Sequence, residues 1–417
     1  MIKKIKKLII TLLVGSQKFT GTDNIYLFKH SSYLLIGSVI GLITAFLLSV
    51  AFARLLPKEV YGQYGYILSV AGLIAIATLI GMNNAVIQGV AKGFEGVLKR
   101  GFITKLKWGL WGSIVSIGIA IYYWSFKGNA ELAISFLIVA IFLPLFKGGE
   151  IYQSYLDGKK LFGRRVTYTA LIQIISTALI VAALFLTKNL IVIILIYFSS
   201  YSMLRTFFLF LVIRKMRPNR TDDPETISYG KHLSYMGIIG IIAQQIDKVL
   251  LFNLVGPAQL AIYWFATAPV EYFRTPLQNI IEIALPKLSV RSKEEIKKTL
   301  PKKLLKTTLL IGIMIVFYIV AAPYIYHIFF PQYMGSVFYS RLFSLSLLIF
   351  PITMMRLSLQ AQMMTKELYK INVISPLIQI VLFVALTPFF GVLGAVIARL
   401  LSYVCYFFLT WFFFKKM

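Results

Sequence analysis

The sequence predicts an all-α integral membrane protein of about twelve transmembrane helices, arranged as two six-helix halves related by a pseudo-two-fold axis along the membrane normal. Three observations predict it. Hydrophobic residues make up 59% of the 417 residues and charged residues only 14%, and the mean hydropathy of +0.80 lies far above that of a soluble chain. Twelve apolar runs approach the length of about 20 residues that a helix needs to cross hydrocarbon. The chain also matches itself at an offset of 199 residues, which lays ARLLPKEVYGQYGY over FNLVGPAQLAIYWF and pairs Leu55 with Leu254 and Tyr64 with Tyr263.

The chain opens with MIKKIKKLIITLLVG. A basic start and a short apolar stretch with no small-residue cleavage site read as a basic amphipathic segment, 1–30, lying on the inner membrane surface. There Lys3, Lys4, Lys6 and Lys7 are drawn to anionic lipid. The apolar runs follow at 33–55, 65–88, 108–126, 131–147, 167–187 and 189–213, then at 232–255, 259–285, 304–325, 336–361, 371–389 and 391–414. Between the sixth and seventh, RKMRPNRTDDPETISYGKH holds two prolines and mixed charge, so 214–228 reads as a linker between halves at 31–213 and 229–417. Six crossings separate the copies, so both enter from the same side. Such parallel repeats are a transporter architecture with the substrate path between them.

The net charge of +28 does not imply nucleic acid, because its placement follows the membrane. Alternate connections hold nearly all the Lys and Arg outside the spans, among them Lys99, Lys105, Lys147, Arg164, Arg214, Lys297 and Lys366, whereas the opposite set holds only Lys58, Lys127 and Lys188. By the positive-inside rule both termini are cytoplasmic in a multi-pass protein of the cell membrane. The lone Cys405 forms no intramolecular disulfide and says nothing about compartment.

Seven cations fall within the apolar runs: Arg54, Arg205, Lys248, Arg274, Arg341, Arg356 and Arg399. A charge near the bilayer centre costs about 2.5–3.5 kcal/mol on insertion scales, so each needs a partner, water or a route to the headgroups. For Arg54, Arg341 and Arg356, near span ends, snorkelling to the headgroups and a partner or water both stay open; Arg205, Arg274 and Arg399 lie deeper and call for a cavity or an ion pair. In the eighth run Thr267, Glu271, Arg274, Gln278 and Glu282 step by three or four and share one helical face. A Glu271–Arg274 pair would explain two of them, but the length of the stripe favours a water-filled path. In IAQQIDKVLLFNLVG, Gln244, Asp247 and Lys248 cluster on one face. Two readings stay open for Asp247: an ion pair holding spans together, or a carboxylate that changes protonation or binds a cation as the protein cycles.

The turn RLLPKEVYGQYGYILS, the polar-ended GMNNAVIQGVAK and the IAQQIDKVLLFNLVG stretch together resemble the polysaccharide-repeat-unit flippases, often called Wzx-type, of the multidrug, oligosaccharidyl-lipid and polysaccharide exporter superfamily. The resemblance covers the whole chain in length, span count and half-repeat. It implies a transporter, not an enzyme, that moves polyprenyl-diphosphate-linked oligosaccharide between leaflets for surface polysaccharide synthesis. It also implies contact with polysaccharide polymerase machinery. Arginine's planar fork suits phosphate oxygens, which makes Arg205, Arg274, Arg399, Arg356 and Gln278 the expected substrate-binding residues and Asp247, Glu271 and Glu282 the expected ion-coupling ones. No cofactor or metal is expected beyond coupling to a proton or sodium gradient. Tyr197 with Tyr201 and Tyr263 with Trp264 would stack on sugar rings, although interfacial packing is the preferred role.

Two other classes compete. An ion-coupled multidrug exporter of the same superfamily would present acids to its cationic substrates, not arginines. A membrane enzyme acting on lipid-linked sugars would expose acid–base residues on a sizeable loop, whereas the outer connections here are short and His30, His232 and His327 are scattered. No GxxxxGK[ST] phosphate loop is present.

Overall fold

The structure is a computed structural model that describes residues 24–282, 288–289 and 291–417; at helical residues 24–32, 34, 275, 276 and 278–282 the backbone alone is described. Nine described helices are long and apolar enough to cross a membrane. The last of them, Thr365–Lys416, breaks at Gly391, whose φ of 54° with ψ of −128° is a combination readily adopted only by glycine. It doubles back there, since Gln379 before the break and Arg399 after it reach positions one turn apart on the seventh span, Ala243 and Asp247. Val97–Ser125 and Pro257–Glu282, more polar along their length, complete the twelve.

The first span, Asn24–Leu55, ends beside Pro57, whose extended ψ of 149° precedes a helix with Glu59 in its first turn. The second span therefore starts at Lys58, earlier than the run at 65–88 suggests. It runs Lys58–Ile74, tightens to a 3-10 turn at Ala75–Thr78, breaks at Leu79 with φ 55°, and resumes as Met82–Ala91. The third span starts at Val97, so Lys105, read from sequence as a connecting-loop cation, is on the helix and fully buried. The fourth spans Ala130–Gly158 with a break at Gly149, its start capped by Asn129 accepting from the Leu132 N–H at 2.9 Å. Phe162–Leu186 and Leu190–Met216 complete the first six.

Arg217, with φ 46°, ends the sixth span, and Asp223 accepting from the Glu225 N–H with Pro224 at the first position starts the seventh, Pro224–Leu254. The irregular stretch between them is thus 217–223, shorter than the expected 214–228. It is laid against the connection between the second and third spans. Gly96 N–H donates to Thr221 O at 2.9 Å, Asn219 accepts from Glu95 N–H at 3.2 Å, and Arg100 pairs with Asp222 at 2.6 Å. Burial pulls the Glu95 carboxyl upward, but hydrogen bonds from Lys159 and Tyr155 outweigh it and hold its pKa below the usual carboxylate range.

Lys293–Phe329, Pro331–Ala361 and the doubled final helix follow. The two groups of six meet where the second span lies along the seventh and eighth. Its small residues allow this: Gly62 faces the Pro257 backbone, Gly65 the Trp264 ring and Gly72 the Gln245 side chain. Tyr66 stacks on Phe252 at 3.8 Å in the same seam. Lipid-facing surfaces carry exposed Ile, Leu, Val and Phe, as on the third span at Leu110, Ile114 and Ile121.

A methyl group at Gly62 would collide with the Pro257 carbonyl, whereas one at Gly118 meets nothing within 4 Å. Overpacking of this kind costs about 1–3 kcal/mol. Gly62→Ala is expected to lower the thermal unfolding midpoint in detergent by several degrees and Gly118→Ala to leave it unchanged. Equal effects of the two would show that the seam is not close-packed.

Candidate functional site

Between the two groups of helices lies a cavity of about 870 Å³. Its lining comes from the first, second, fifth and sixth spans on one side and the seventh, eighth, tenth, eleventh and twelfth on the other. At the end opposite the described C-terminus the spans meet: Arg54 Nη2 donates to Ile328 O at 2.6 Å, Gln332 reaches Arg54 O at 3.4 Å, and Tyr61 packs on Phe265 and Tyr333.

The geometry around Asp247 explains how a carboxylate stays in an apolar helix. Asp247 is 1% exposed. Arg399 Nη2 of the twelfth span donates to its Oδ2 at 2.6 Å, Tyr263 Oη of the eighth donates to the same oxygen at 2.7 Å, and Lys248 N–H donates to Oδ1 at 2.9 Å. The turn at Gly256, with φ 112°, brings Tyr263 back beside the helix it has just left. The Arg399 guanidinium lies over the Phe383 ring at 5.0 Å, and its Nε is buried without a hydrogen-bond partner. Lys248 points the other way: its Nζ donates to Gln244 O and Gln245 Oε1 at 3.2 and 3.1 Å and sits 5.3 Å from the Trp264 ring centre.

Glu271 and Arg274, one turn apart on the eighth span, pair at 2.9 Å, and Arg274 also donates to Tyr403 Oη at 3.0 Å. The Glu271 side chain remains 44% exposed, so its end of the pair faces open space. Thr267 lines the cavity one turn before Glu271. Among the described residues the lining thus holds three cations, Lys248, Arg274 and Arg399, against two acids, Asp247 and Glu271.

The expected residues divide. Arg274, Arg399, Asp247 and Glu271 line one cavity. The side chains of Gln278 and Glu282 lie outside the described residues. Arg205 is not in the lining. The sixth span packs so closely on the fourth that a Cβ at Gly149 would lie 3.0 Å from the Arg205 Cβ. Arg205 therefore turns into its own half, donating to Phe146 O at 2.7 Å and to Glu150 at 3.2 Å with its guanidinium over the Phe146 ring. Glu150 also meets Lys105 at 3.7 Å and Lys147 at 3.9 Å, while Asn83 accepts from Lys105 Nζ at 2.7 Å. Arg356 likewise stays out of the lining and donates to Asn372 at 3.4 Å.

Sequence reasoning missed Glu150 as the partner of Arg205, although the GGE after an apolar run signalled a break with a carboxylate in it. It also missed Tyr403, Tyr272, Gln379 and Gln173. Single uncharged polar residues in long apolar runs carry no signal of the face they occupy.

A model of the family described as polysaccharide biosynthesis protein matches residues 27–273, more than half of the chain. No curated protein sequence matches it. Among solved structures, the fold is similar to a multidrug resistance MATE family transporter of the MOP superfamily in an inward-facing conformation. That match has a TM-score of 0.68 and 12% identity over 89% of this chain and 94% of the other. It is also similar to the lipid II flippase MurJ in an inward closed conformation, with a TM-score of 0.65 and 16% identity over 93% and 87% of the two chains. A third likeness is to a MOP superfamily transporter from Pyrococcus furiosus whose binding pocket is described as reversed in polarity. It has a TM-score of 0.64 and 14% identity over 93% and 96%. At these identities the likenesses establish the fold, a MOP-type bundle of about twelve helices.

Removing one partner of a buried ion pair strands the other at a cost of about 3–5 kcal/mol, whereas replacing both with apolar residues is often neutral. Asp247→Ala is expected to lower the melting temperature in detergent sharply, and Asp247→Leu combined with Arg399→Met to restore most of it. A double variant no more stable than the single one would mean that the pair is not the principal tie at this point.

Proposed function

The chain belongs to the polysaccharide biosynthesis protein family, and from that membership we propose that it is a flippase carrying polyprenyl-diphosphate-linked oligosaccharide from the inner to the outer leaflet of the cytoplasmic membrane. The observation that carries this reading is the charge of the cavity, where among the described residues Lys248, Arg274 and Arg399 outnumber Asp247 and Glu271. A diphosphate brings concentrated negative charge that this excess attracts, and arginine offers it paired donors. A cation exporter would be served by the opposite balance, so the multidrug reading is the weaker one. Catalysis is not part of this reading, in which the two ion pairs of the described lining, Asp247 with Arg399 and Glu271 with Arg274, bind and orient. The oligosaccharide carrier is the partner, with anionic lipid at the basic surfaces and a polysaccharide polymerase receiving the product.

In this reading both termini are cytoplasmic, as the bias of Lys and Arg requires. The contacts of Arg54, Gln332 and Tyr61 then close the outer end, and substrate enters from the inner leaflet. Its diphosphate meets Arg274 and Arg399, which line the cavity, while the polyprenyl chain stays in lipid. A phosphate drawing on Arg399 loosens that residue's hold on Asp247. The freed carboxylate then takes up a proton or a cation, which couples substrate binding to an ion gradient. Arg205 acts within the first half by holding the fourth and sixth spans through Glu150.

Two measurements test this. Surface polysaccharide in cells expressing matched levels of variants should fall most for Arg274→Glu, which repels phosphate beside Glu271. It should fall less for Arg274→Gln and least for Arg274→Lys, and Arg399 should show the same order. Normal export by all three substitutions at both positions would remove the diphosphate from this cavity. For orientation, a cysteine at Lys127 should react with an impermeant thiol reagent added outside intact cells and one at Lys297 should not; the reverse pattern would invert the topology.

A further inference from the structure

The charged lining residues are not spread around the cavity. All five, Asp247, Lys248, Glu271, Arg274 and Arg399, belong to the seventh, eighth and twelfth spans, while the first, second, fifth and sixth spans contribute no charged side chain to the described lining. That opposite wall is neutral without being apolar. Four tyrosines run along it in ring contact, Tyr197 and Tyr201 half-buried at its surface and Tyr61 and Tyr64 packed behind them at 4% exposed: Tyr61 stacks on Tyr64 at 6.1 Å, Tyr64 meets Tyr197 edge-on at 5.9 Å, and Tyr197 adjoins Tyr201 at 5.1 Å. Gln173 and Thr177 of the fifth span and Thr44 of the first line the same wall. The first half does contain cations at comparable positions along its helices, but Arg205, Lys105 and Lys147 are gathered around Glu150 and kept out of the cavity.

Resting on the function proposed above, we propose that the cavity divides its substrate chemically: the wall of the second half holds the diphosphate, and the neutral tyrosine-lined wall of the first half holds the saccharide. A pyranose ring presents one apolar C–H face and a rim of hydroxyls. Tyrosine matches it with a broad apolar ring face and a polar tip, and amide and hydroxyl side chains such as Gln173 and Thr177 supply donors and acceptors of fixed direction. A charged group on this wall would compete for the diphosphate and lose the orientation. The partition makes the first half the determinant of which sugar is carried and the second half the reader of the carrier common to all such substrates.

The test uses the full chain in lipid nanodiscs with two probes, undecaprenyl diphosphate and the same carrier bearing one N-acetylglucosamine, with dissociation constants read by native mass spectrometry. The wild type should bind the sugar-bearing probe at least fivefold more tightly. Gln173→Leu, Thr177→Val and Tyr201→Leu, each first shown to melt within a few degrees of the wild type, should keep the affinity for the bare carrier within twofold and reduce the preference for the sugar towards one. Arg274→Gln and Arg399→Gln should weaken both probes by the same factor. The partition is overturned when first-half variants weaken both probes equally, when they leave the preference intact, or when the wild type shows no preference. A wild type that fails to bind the bare carrier overturns the diphosphate reading itself, and the partition falls with it.

Discussion

The hydrogen-bonded ion pair between Asp247 and Arg399 is the interaction on which the rest of the arrangement depends. A carboxylate that is 1% exposed within a membrane bundle is sustained only by strong local compensation. Here three donors from three different positions supply it: the guanidinium at 2.6 Å, the Tyr263 hydroxyl at 2.7 Å and the Lys248 amide at 2.9 Å. Satisfying one group in this way ties the seventh, eighth and twelfth spans together. It leaves the Arg399 Nε buried without a hydrogen-bond partner. Lys248, unable to share the same carboxylate side chain, turns to Gln244 and Gln245 and adds a second cation to the lining.

The first half meets the same electrostatic constraint with the opposite result. Its fourth span breaks after Gly149, and the break presents Glu150 to Lys105, Lys147 and Arg205 together. With three cations collected around one carboxylate inside the bundle, the described lining on this half carries no charge. Two halves of one repeated architecture thus face each other with different chemistry. The close approach that permits this is made by glycines of the second span, which let the seventh and eighth come near enough to enclose a space of defined shape.

Much of this was legible in the sequence. The twelve crossings follow from hydropathy, because satisfying backbone hydrogen bonds in hydrocarbon leaves helices as the only simple solution. The eighth-span stripe of Thr267, Glu271 and Arg274 was legible because a period of 3.6 converts spacing directly into a face, and Asp247 stood out because an acid in an apolar run demands a partner. What was not legible depended on rotation and on packing between spans. Arg205 and Arg399 look alike as lone arginines in apolar runs, and only the helix packed against each decides that one turns to Glu150 and the other to Asp247. Lys105 was misplaced because the third helix continues through a cationic start that hydropathy reads as a loop. The neutral wall was the least legible feature: Gln173, Thr177 and Tyr201 acquire meaning only from the charges that are missing around them.

The central claim is that the wall of the second half receives the phosphate groups of an anionic lipid carrier. It is tested most directly by an electron cryomicroscopy structure of the protein in nanodiscs supplied with undecaprenyl diphosphate. The account predicts paired phosphate density within hydrogen-bonding distance of Arg274 or Arg399, with the hydrocarbon chain leaving the bundle toward lipid. Phosphate density lodged instead among Lys105, Lys147 and Arg205, or a cavity left empty while the carrier occupies only the outer surface of the bundle, would contradict it.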